Sequence, residues 1–425
     1  MIRPEHKLSE LIRCKTVSCG KGPFPQEEFD KLAQALEALF PLVHGRLERE
    51  RIDGFTLLYR WKGGKGKPAL LLAHQDVVPA DEEGWLYPPF SGELADGYVW
   101  GRGAFDMKCQ LVAILQAAEE LLAQGFTPNR DVYFCFTHNE EAADETGAKA
   151  AAKLLAERGI RFSVAIDEGG YAFCGADYGM GQDGIFVALC EKGYADIEIT
   201  AEDEGGHAST PKKNAALARV CRAIAAIEGN PPKPSKNAAT DALIRSISRC
   251  LPIHKRFGLL RSMAKRPGTN ALVRSTIAPT MIQASCAPNV LPSTVRANLN
   301  ARLLPGDSPK ALLAHCERVT KGLGVRLRLV KANPAMPVAP AEGEEYERIL
   351  RALRAAMPAL VPVPGIMTGA TDSRFFAGIC DAIYRASPFS CAKEVLGSTH
   401  GVNERVSIAS LGEGIAFFRT LLGSF

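Results

Sequence analysis

The first half of the chain alternates between short apolar runs and longer amphipathic segments. The runs ALLLAH at 69–74, DVYFCFTHNEE at 131–141 and FSVAID at 162–167 contain apolar stretches typical of strands buried on both faces. Segments 107–125 and 145–159 repeat apolar residues with a helical period, and each ends on a glycine. This alternation predicts an α/β fold: a mostly parallel sheet with helices on both faces.

The pattern changes after about residue 190. It predicts a half-exposed strand at 194–202 and amphipathic helices at 214–230 and 308–321. It also predicts a pair of strands joined by a turn at 281–306. The stretch 231–275, rich in Pro, Lys, Arg and Ser, predicts no clear element. We expect 190–333 to form an α+β domain inserted into a first domain made of 1–189 and 334–425.

The composition is that of a globular protein and argues against a nucleic-acid-binding or membrane protein. A chain of 425 residues that is 46% hydrophobic and 23% charged is typical of a soluble protein of two domains. A formal charge of +4 gives little reason to expect nucleic-acid binding, and no apolar run approaches the roughly 18 residues of a membrane span. The N-terminal sequence resembles no export signal, and the twelve cysteines form no CxxC pair. We therefore expect a cytoplasmic protein with buried free thiols.

Imidazole and carboxylate groups recur where predicted strands meet loops. The segments are HQDVVP at 74–79, GRGAFDMK at 101–108, HNEE at 138–141, AIDE at 165–168 and, near the C-terminus, GSTHGVNERV at 397–406. In parallel sheets, functional groups collect beyond the carboxyl ends of the strands. Five segments with hard oxygen and imidazole donors thus predict a metal centre, and two divalent ions that share a carboxylate would make it hydrolytic.

Individual residues in these segments admit two interpretations. His74 and Asp76 lie two apart on a strand end, so they project to one side as a ligand and its orienting partner, or form an ordinary turn. Asp106 precedes a helix, where it either bridges two ions or caps the helix. Glu140 and Glu141 face different ways, which suits one metal ligand and one general base, or two solvated acids.

Asp167 and His400 complete the set. Asp167 ends a predicted buried strand, and His400 lies in a loop of small residues. Taken alone, each of the two could be an isolated structural residue just as well as a metal ligand. The joint occurrence of two imidazoles and several carboxylates at strand-to-loop junctions favours a site.

These segments together closely resemble the dizinc amidohydrolase and exopeptidase family, which includes aminoacylase, acetylornithine deacetylase, succinyl-diaminopimelate desuccinylase, glutamate carboxypeptidase and carboxypeptidase S. The resemblance extends from HQDVVP to HGVNERV, and DEGG looks most like the carboxypeptidase S branch. The ligand set that it implies is His74, Asp106 and Asp167 for one zinc ion and Asp106, Glu141 and His400 for the other. It further implies that Asp76 orients His74 and that Glu140 is the base acting on a bridging water. Cobalt or manganese would also suit such ligands.

The resemblance makes the inserted domain a lid through which two copies form a homodimer. GGHAST places His207 where the family polarises the scissile carbonyl, and APNVLPS places Asn289 near it. NARLLPG places Arg302 where the family binds a substrate carboxylate. TGATDSRFF matches a loop of the same pocket, with Gly369 and Thr371 facing the substrate.

The sequence thus predicts a metal-dependent hydrolase that cleaves a peptide or amide bond next to a free carboxylate, as a carboxypeptidase or dipeptidase does. An N-acyl-amino-acid deacylase is the alternative, since it differs only in what flanks the bond. A non-catalytic binding protein would have lost a ligand or the glutamate base, and none is missing. A nucleic-acid role rests only on the basic residues between Lys212 and Arg266.

Overall fold

The computed structural model describes residues 2–18, 24–142, 146–285 and 287–425. The chain divides into two compact units, of which the first comprises Met1–Leu189, Ala339–Gly365 and Thr371–Phe425. The second unit comprises Cys190–Val338 and Ile366–Ala370. None of the helices in the described ranges combines the length and apolar character that a membrane span requires.

Strands and helices are interspersed along the described parts of the chain. The strands β1 to β18 are Glu48–Ile52, Thr56–Trp61, Gly66–His74, Glu93–Ala95, Tyr98–Trp100, Arg130–Thr137, Phe162–Asp167, Ala172–Phe173, Gly184–Glu191, Gly193–Glu202, Gly206–His207, Thr276–Gln283, Val290–Leu291, Thr294–Leu303, Arg326–Asn333, Val361–Met367, Cys380–Arg385 and Arg405–Ser407. The helices α1 to α14 are Pro4–Ile12, Gln26–Leu39, Pro41–Arg46, Lys108–Ala123, Ala148–Glu157, Ala216–Gly229, Ala238–Arg249, Ile253–Arg256, Leu259–Lys265, Pro267–Asn270, Pro309–Val319, Glu344–Ala356, Lys393–Leu396 and Ile408–Leu422. Short 3₁₀ helices occupy Gly175–Tyr178 and Asp372–Phe376.

A large mixed sheet is the framework of the first unit. Within the described residues its order is β1-β2-β6-β3-β7-β17-β9-β16, with β8 paired to β9. The central strands β6, β3, β7 and β17 are parallel, whereas the pairs β1–β2, β2–β6 and β17–β9 are antiparallel. The predicted α/β fold class is confirmed, and its parallel part is the middle of this sheet. The buried runs in β3, β6 and β7 explain that position, since central strands are covered on both faces.

A lysine at the start of α4 connects this helix to the end of the N-terminal helix α1. Almost every residue of α4 is buried, including Lys108 at its start. The Lys108 ammonium donates to the carbonyls of Leu11 and Cys14, at 2.9 and 2.7 Å, and so satisfies carbonyls at the end of α1. Because burial outweighs the nearby negative charges, the pKa of Lys108 falls to about 8. The Lys108 side chain therefore ties the segment just after Asp106 to the backbone of Leu11 and Cys14.

The second unit contains a four-stranded antiparallel sheet in the order β12-β14-β10-β15. Alternate residues of β10, such as Ile197 and Ile199, pack in a core with α6 and α11. The intervening residues, such as Asp196 and Glu198, lie on the polar face, as the alternating sequence predicted. Helices α7 to α10 occupy most of 231–275, where the sequence pattern predicted no element.

Candidate metal centre

The carboxyl ends of three parallel strands bring the predicted ligand segments together. Strand β3 ends at His74, which is in register with Thr137 at the end of β6. Strand β7, on the other side of β3, ends at Asp167. The polar residues that follow each strand therefore emerge at one edge of the sheet, as expected for a parallel arrangement.

Two groups of potential ligands share one carboxylate. The first cluster is His74, Asp106 and Glu168, and the second cluster is Asp106, Glu141 and His400; within each, the ligand atoms lie within 4.8 Å of one another. Asp106 Oδ1 is 3.2 Å from His74 Nε2, and Asp106 Oδ2 is 3.2 Å from His400 Nε2. The Asp106 carboxylate is thus placed to bridge two cations. It is not the helix cap, since Met107 holds that position and has no side-chain cap bond.

The other contacts in the clusters are equally short. His400 Nε2 is 3.0 Å from Glu141 Oε1, and His74 Nε2 is 3.6 Å from Glu168 Oε1. The His400–Glu141 separation is also that of a hydrogen bond, so the kind of donor, rather than the distance, is what bears on metal binding. Imidazole nitrogens and carboxylate oxygens are the donors that zinc, cobalt and manganese accept, so the donor set fits a divalent metal.

Glu168, rather than its neighbour Asp167, belongs to the first cluster. Asp167 Oδ1 accepts the Glu168 backbone N–H at 2.8 Å, and its Oδ2 accepts the Ser373 N–H at 3.0 Å. Asp167 therefore holds the loop at 371–373 against β7 and belongs to neither cluster. Consecutive residues at a strand end project to opposite sides, which is consistent with one of the two acids facing the cluster. The motif DEGG contains both acids, so Asp167 stays the ligand that the sequence predicts, and Glu168 is the alternative that the first cluster offers.

Asp76 supports both His74 and the acidic pair. Its backbone carbonyl lies 2.9 Å from His74 Nδ1, and its carboxylate Oδ1 lies 3.4 Å from that nitrogen. A proton held on Nδ1 leaves Nε2 as the lone-pair donor for a metal. The fully buried Asp76 carboxylate accepts the backbone N–H of Glu140 at 3.3 Å and of Glu141 at 3.0 Å, and the Ser18 hydroxyl at 2.5 Å. Burial opposes its charge, but these bonds and His74 leave the pKa of Asp76 lowered.

A buried ion pair lies behind Asp106 and was not among the predicted site residues. Glu404 accepts the backbone N–H of Asp106 at 3.0 Å and pairs with the Arg102 guanidinium at 2.5 Å. Arg102 also donates to the carbonyl of Gly401, at 3.0 Å, beside His400. Both charges are almost fully buried. The segments GRGAFD and HGVNER each contain one of these residues, and a charge of each sign in two ligand loops was the available signal.

The charged groups of the two clusters shift one another's pKa values strongly. Burial first, and then neighbouring carboxylates, raise the pKa of Glu140 and of Glu168 well above the usual range, although His74 opposes the shift. Hydrogen bonds to Asp106 and Glu141 raise the pKa of His400 to about 10. Crowded carboxylates disfavour each other's charge, which a bound cation relieves. This electrostatic pattern is consistent with a centre built for positive ions.

In the second unit, His207 and Asn289 lie side by side. Strand β11 pairs His207 with Val290 of β13, and the Ala208 N–H donates to the Asn289 carbonyl at 3.0 Å. His207 Nδ1 accepts the Ser209 N–H at 3.1 Å, so its proton belongs on Nε2. The exposed ring therefore offers an N–H donor.

Arg302 lies half-buried on β14, and its guanidinium is 5.1 Å from the Tyr194 ring centroid. The flat ring restricts the guanidinium, which favours a defined orientation. Gly369 belongs to the segment assigned to the second unit and is half-buried. Thr371 belongs to the first unit and is fully buried, and its hydroxyl contacts the Ser373 hydroxyl at 2.6 Å. The Thr371 side chain thus caps a 3₁₀ helix.

The chain matches the family model described as peptidase family M20/M25/M40 over residues 70–424. That range contains every residue of both clusters. The chain belongs to peptidase family M20/M25/M40. The predicted resemblance to this group of exopeptidases and amidohydrolases is confirmed.

Relatives of known name agree with this assignment. The M20 chain is 33% identical over 436 residues to the probable carboxypeptidase S-like 2 of Dictyostelium discoideum, across 98% of this chain and 84% of the relative. It is 30% identical over 431 residues to the N-fatty-acyl-amino acid synthase/hydrolase PM20D1 of Xenopus tropicalis, again across 98% and 84%. The predicted similarity to the carboxypeptidase S branch is therefore confirmed.

A solved structure shows the same fold. The M20 family metallo-carboxypeptidase Sso-CP2 from Sulfolobus solfataricus matches with a TM-score of 0.72 and 16% identity, over 100% of this chain and 99% of that one. Together, the family match and these relatives indicate that the M20 chain is a metal-dependent hydrolase, as the sequence predicted.

Proposed function

We propose that this M20 hydrolase uses two divalent cations, zinc in the first instance, to cleave a peptide or amide bond next to a free carboxylate. The observation on which this rests is the division of the Asp106 carboxylate between two imidazoles, one oxygen to each. The ligands would be His74, Asp106 and Glu168 for one ion, and Asp106, Glu141 and His400 for the other. When bound, the cations would supply Lewis-acid chemistry and would lower the pKa of the attacking water.

Glu140 is the general base in this proposal. It belongs to neither cluster, yet it is half-buried and interacts electrostatically with His74 and Asp372. Its backbone N–H is held by Asp76, which also holds that of Glu141. A fixed carboxylate beside the ligands would take a proton from the attacking water and return it to the leaving nitrogen.

The remaining roles in this proposal fall to His207, Asn289, Arg302, Gly369 and Thr371. His207 would donate its Nε2–H to the oxygen of the scissile carbonyl as negative charge develops there, with Asn289 as a neighbouring polar group. Arg302 would bind the substrate carboxylate through paired hydrogen bonds that lysine does not reproduce. Gly369 and Thr371 would line the substrate pocket through the main chain, because the Thr371 hydroxyl is already bonded to Ser373.

An N-acyl amino acid is the second candidate substrate. The name of the PM20D1 relative refers to N-fatty-acyl amino acids, whereas the carboxypeptidase S-like relative points to peptides. Both substrates contain an amide bond next to a free carboxylate, so one centre would serve either. We also propose a homodimer formed through the second unit, which a mass measurement in solution tests; a monomeric mass would reject it.

A hydrolysis screen with and without a chelator tests the proposed function. The substrates are dipeptides, the same dipeptides with a blocked C-terminus, and N-acyl amino acids. We expect cleavage that chelator abolishes and zinc restores, and loss of cleavage when the carboxylate is blocked. Arg302→Lys should raise KM for the free acids while kcat changes little. Chelator-resistant hydrolysis, or equal rates on blocked and free substrates, would reject the proposal.

A further inference from the structure

A cavity of about 580 Å³ lies within the first unit, outside both ligand clusters. This flanking cavity is lined by parts of β5, β8, α13 and β18 and by the 3₁₀ segment at Gly175–Tyr178. Its volume falls in the range of pockets that hold small organic molecules. None of the roles assigned to the metal centre uses it.

The walls of the flanking cavity are continuous in sequence with the metal ligands. Ala172 lies four residues after Glu168, and Leu396 lies four residues before His400. Four extended residues span at most ~14 Å, so each of these walls lies within that distance of a ligand. A third wall, Val406, follows His400 by six residues. A chain of modest length could therefore reach from the reacting bond into the cavity.

The lining is mainly apolar and aromatic. The Phe173 ring packs against Tyr178 and Phe186, with centroid distances of 4.7 and 4.2 Å. Val395 and Val406 are buried in the wall, and Leu360 is half-buried. Such a surface gains free energy by taking an aliphatic chain out of water.

Several polar groups of the lining are already bonded to the protein. Asp183 accepts the Gly175 N–H at 2.9 Å, and the Ser407 hydroxyl oxygen accepts the Ser410 N–H at 3.0 Å. Ser390 bonds to Glu413 through its N–H, at 3.1 Å, and through its hydroxyl. The remaining charged residues, Asp177 and Lys393, are exposed. No arginine occurs among the described residues that line the cavity, so a carboxylate has little to attract it there.

We propose that the flanking cavity binds the acyl chain of an N-acyl amino acid, as an extended aliphatic chain of medium to long length. This inference rests on the proposed function and specifies its substrate class. The amino-acid half of the substrate, with its carboxylate, lies outside the cavity, because two aspartates and one lysine line it. The acyl half, which is apolar along its length, fits the aromatic and aliphatic walls.

A chain-length series tests the proposal on the intact zinc-loaded enzyme. N-acyl derivatives of one amino acid, from acetyl to palmitoyl, are compared by kcat/KM. We expect kcat/KM to rise by up to about fourfold per buried methylene, and then to level off when the cavity is full. A second series keeps the acyl group and varies the amino acid from glycine to leucine and phenylalanine. A steep dependence on the amino acid with no dependence on acyl length would overturn the proposal.

Two substitutions in the cavity wall, with one control, test whether the dependence on acyl length arises in the flanking cavity. Ala172→Phe fills the cavity and Leu396→Asn makes its wall polar, whereas Ala176→Phe adds the same ring at an exposed position outside the lining. We expect the ratio of kcat/KM for dodecanoyl to that for acetyl substrate to fall at least tenfold in the first two variants and to stay within twofold in Ala176→Phe. An unchanged ratio in Ala172→Phe and Leu396→Asn would reject the assigned site. If neither acetyl amino acids nor dipeptides are cleaved in a chelator-sensitive reaction, the proposed function itself fails instead.

Discussion

Glu404 accepts the backbone N–H of Asp106 at 3.0 Å. The bond fixes the bridging residue through its main chain and leaves both of its carboxylate oxygens for the two clusters. Because Glu404 also pairs with Arg102, which donates to the Gly401 carbonyl, one ion pair joins the loops that contain Asp106 and His400. The shared carboxylate is thus held by groups that do not themselves contact a cation.

The Glu404→Gln substitution should be strongly destabilising. It leaves the buried Arg102 charge without its partner, and breaking a buried pair in this way costs about 3–5 kcal/mol. Urea unfolding with chelator present measures the free energy. The matched control is Glu157→Gln at the exposed Lys153–Glu157 pair, which should change it by no more than about 0.5 kcal/mol. Similar values for the two variants would contradict a structural role for the Glu404 pair.

The proposed assignment of Glu168 as a ligand at the end of β7 predicts opposite outcomes for the two adjacent acids. Glu168→Ala should lower zinc binding at the first cluster, because it removes a ligand. Asp167→Asn should retain zinc, because Asp167 belongs to neither cluster. Its amide oxygen replaces only one of the two carboxylate oxygens that accept the N–H groups of Glu168 and Ser373, so this variant should lose some stability instead. Zinc per chain, measured by elemental analysis after dialysis, distinguishes them. Loss of zinc from Asp167→Asn with normal zinc in Glu168→Ala would restore the original expectation.

The Glu140→Gln substitution should retain zinc but lower kcat by roughly 10²–10⁴-fold, the usual contribution of a positioned base. The shape of the side chain is preserved, so the Asp76 bond to the backbone N–H remains. Glu157→Gln again serves as the control, with kcat unchanged. Near-normal turnover of Glu140→Gln would show that another group takes the proton.

Because of His400, the stability of the metal-free protein should fall as pH rises. Its pKa is about 10 in the folded state, against about 6.5 for an unfolded histidine. The stabilisation by the protonated ring is therefore complete below about pH 6.5 and is lost as pH rises towards 10. Urea unfolding between pH 6 and 10 in chelator should show this decline, and His400→Ala should flatten it. An equal slope in both proteins would assign the dependence to other groups.

Much of the first unit was predictable because its strands and helices have strong patterns. Helix α4, Lys108–Ala123, differs from the predicted 107–125 only at its ends, and β7 matches 162–167. The predicted fold class needed only those patterns. The apolar residues of 26–43 have the spacing of one helix, but the structure has two there. Helix α2 ends at Leu39, and Pro41, which has no backbone N–H, begins α3.

The details of the candidate site were less predictable. Spacing along a strand says that neighbours diverge, but it does not say whether Asp167 or Glu168 faces the edge where ligands meet. The Glu404 pair depends on two loops separated by some 300 residues, and no local pattern reports such a contact. Helices α8 to α10 have at most seven residues each, too few to show a period. Helix α7 does have one, with Ala239, Leu243 and Ile247 buried along one face, and the Pro, Lys and Arg residues around it obscured that signal.

Anomalous diffraction at the zinc edge, from crystals of the zinc-loaded protein, tests the central claim most directly. Two peaks of comparable height should flank the Asp106 carboxylate, about 3.5–4 Å apart, with His74 and Glu168 on one side and Glu141 and His400 on the other. A single peak, or two peaks of which neither contacts Asp106, would contradict the account of a shared carboxylate.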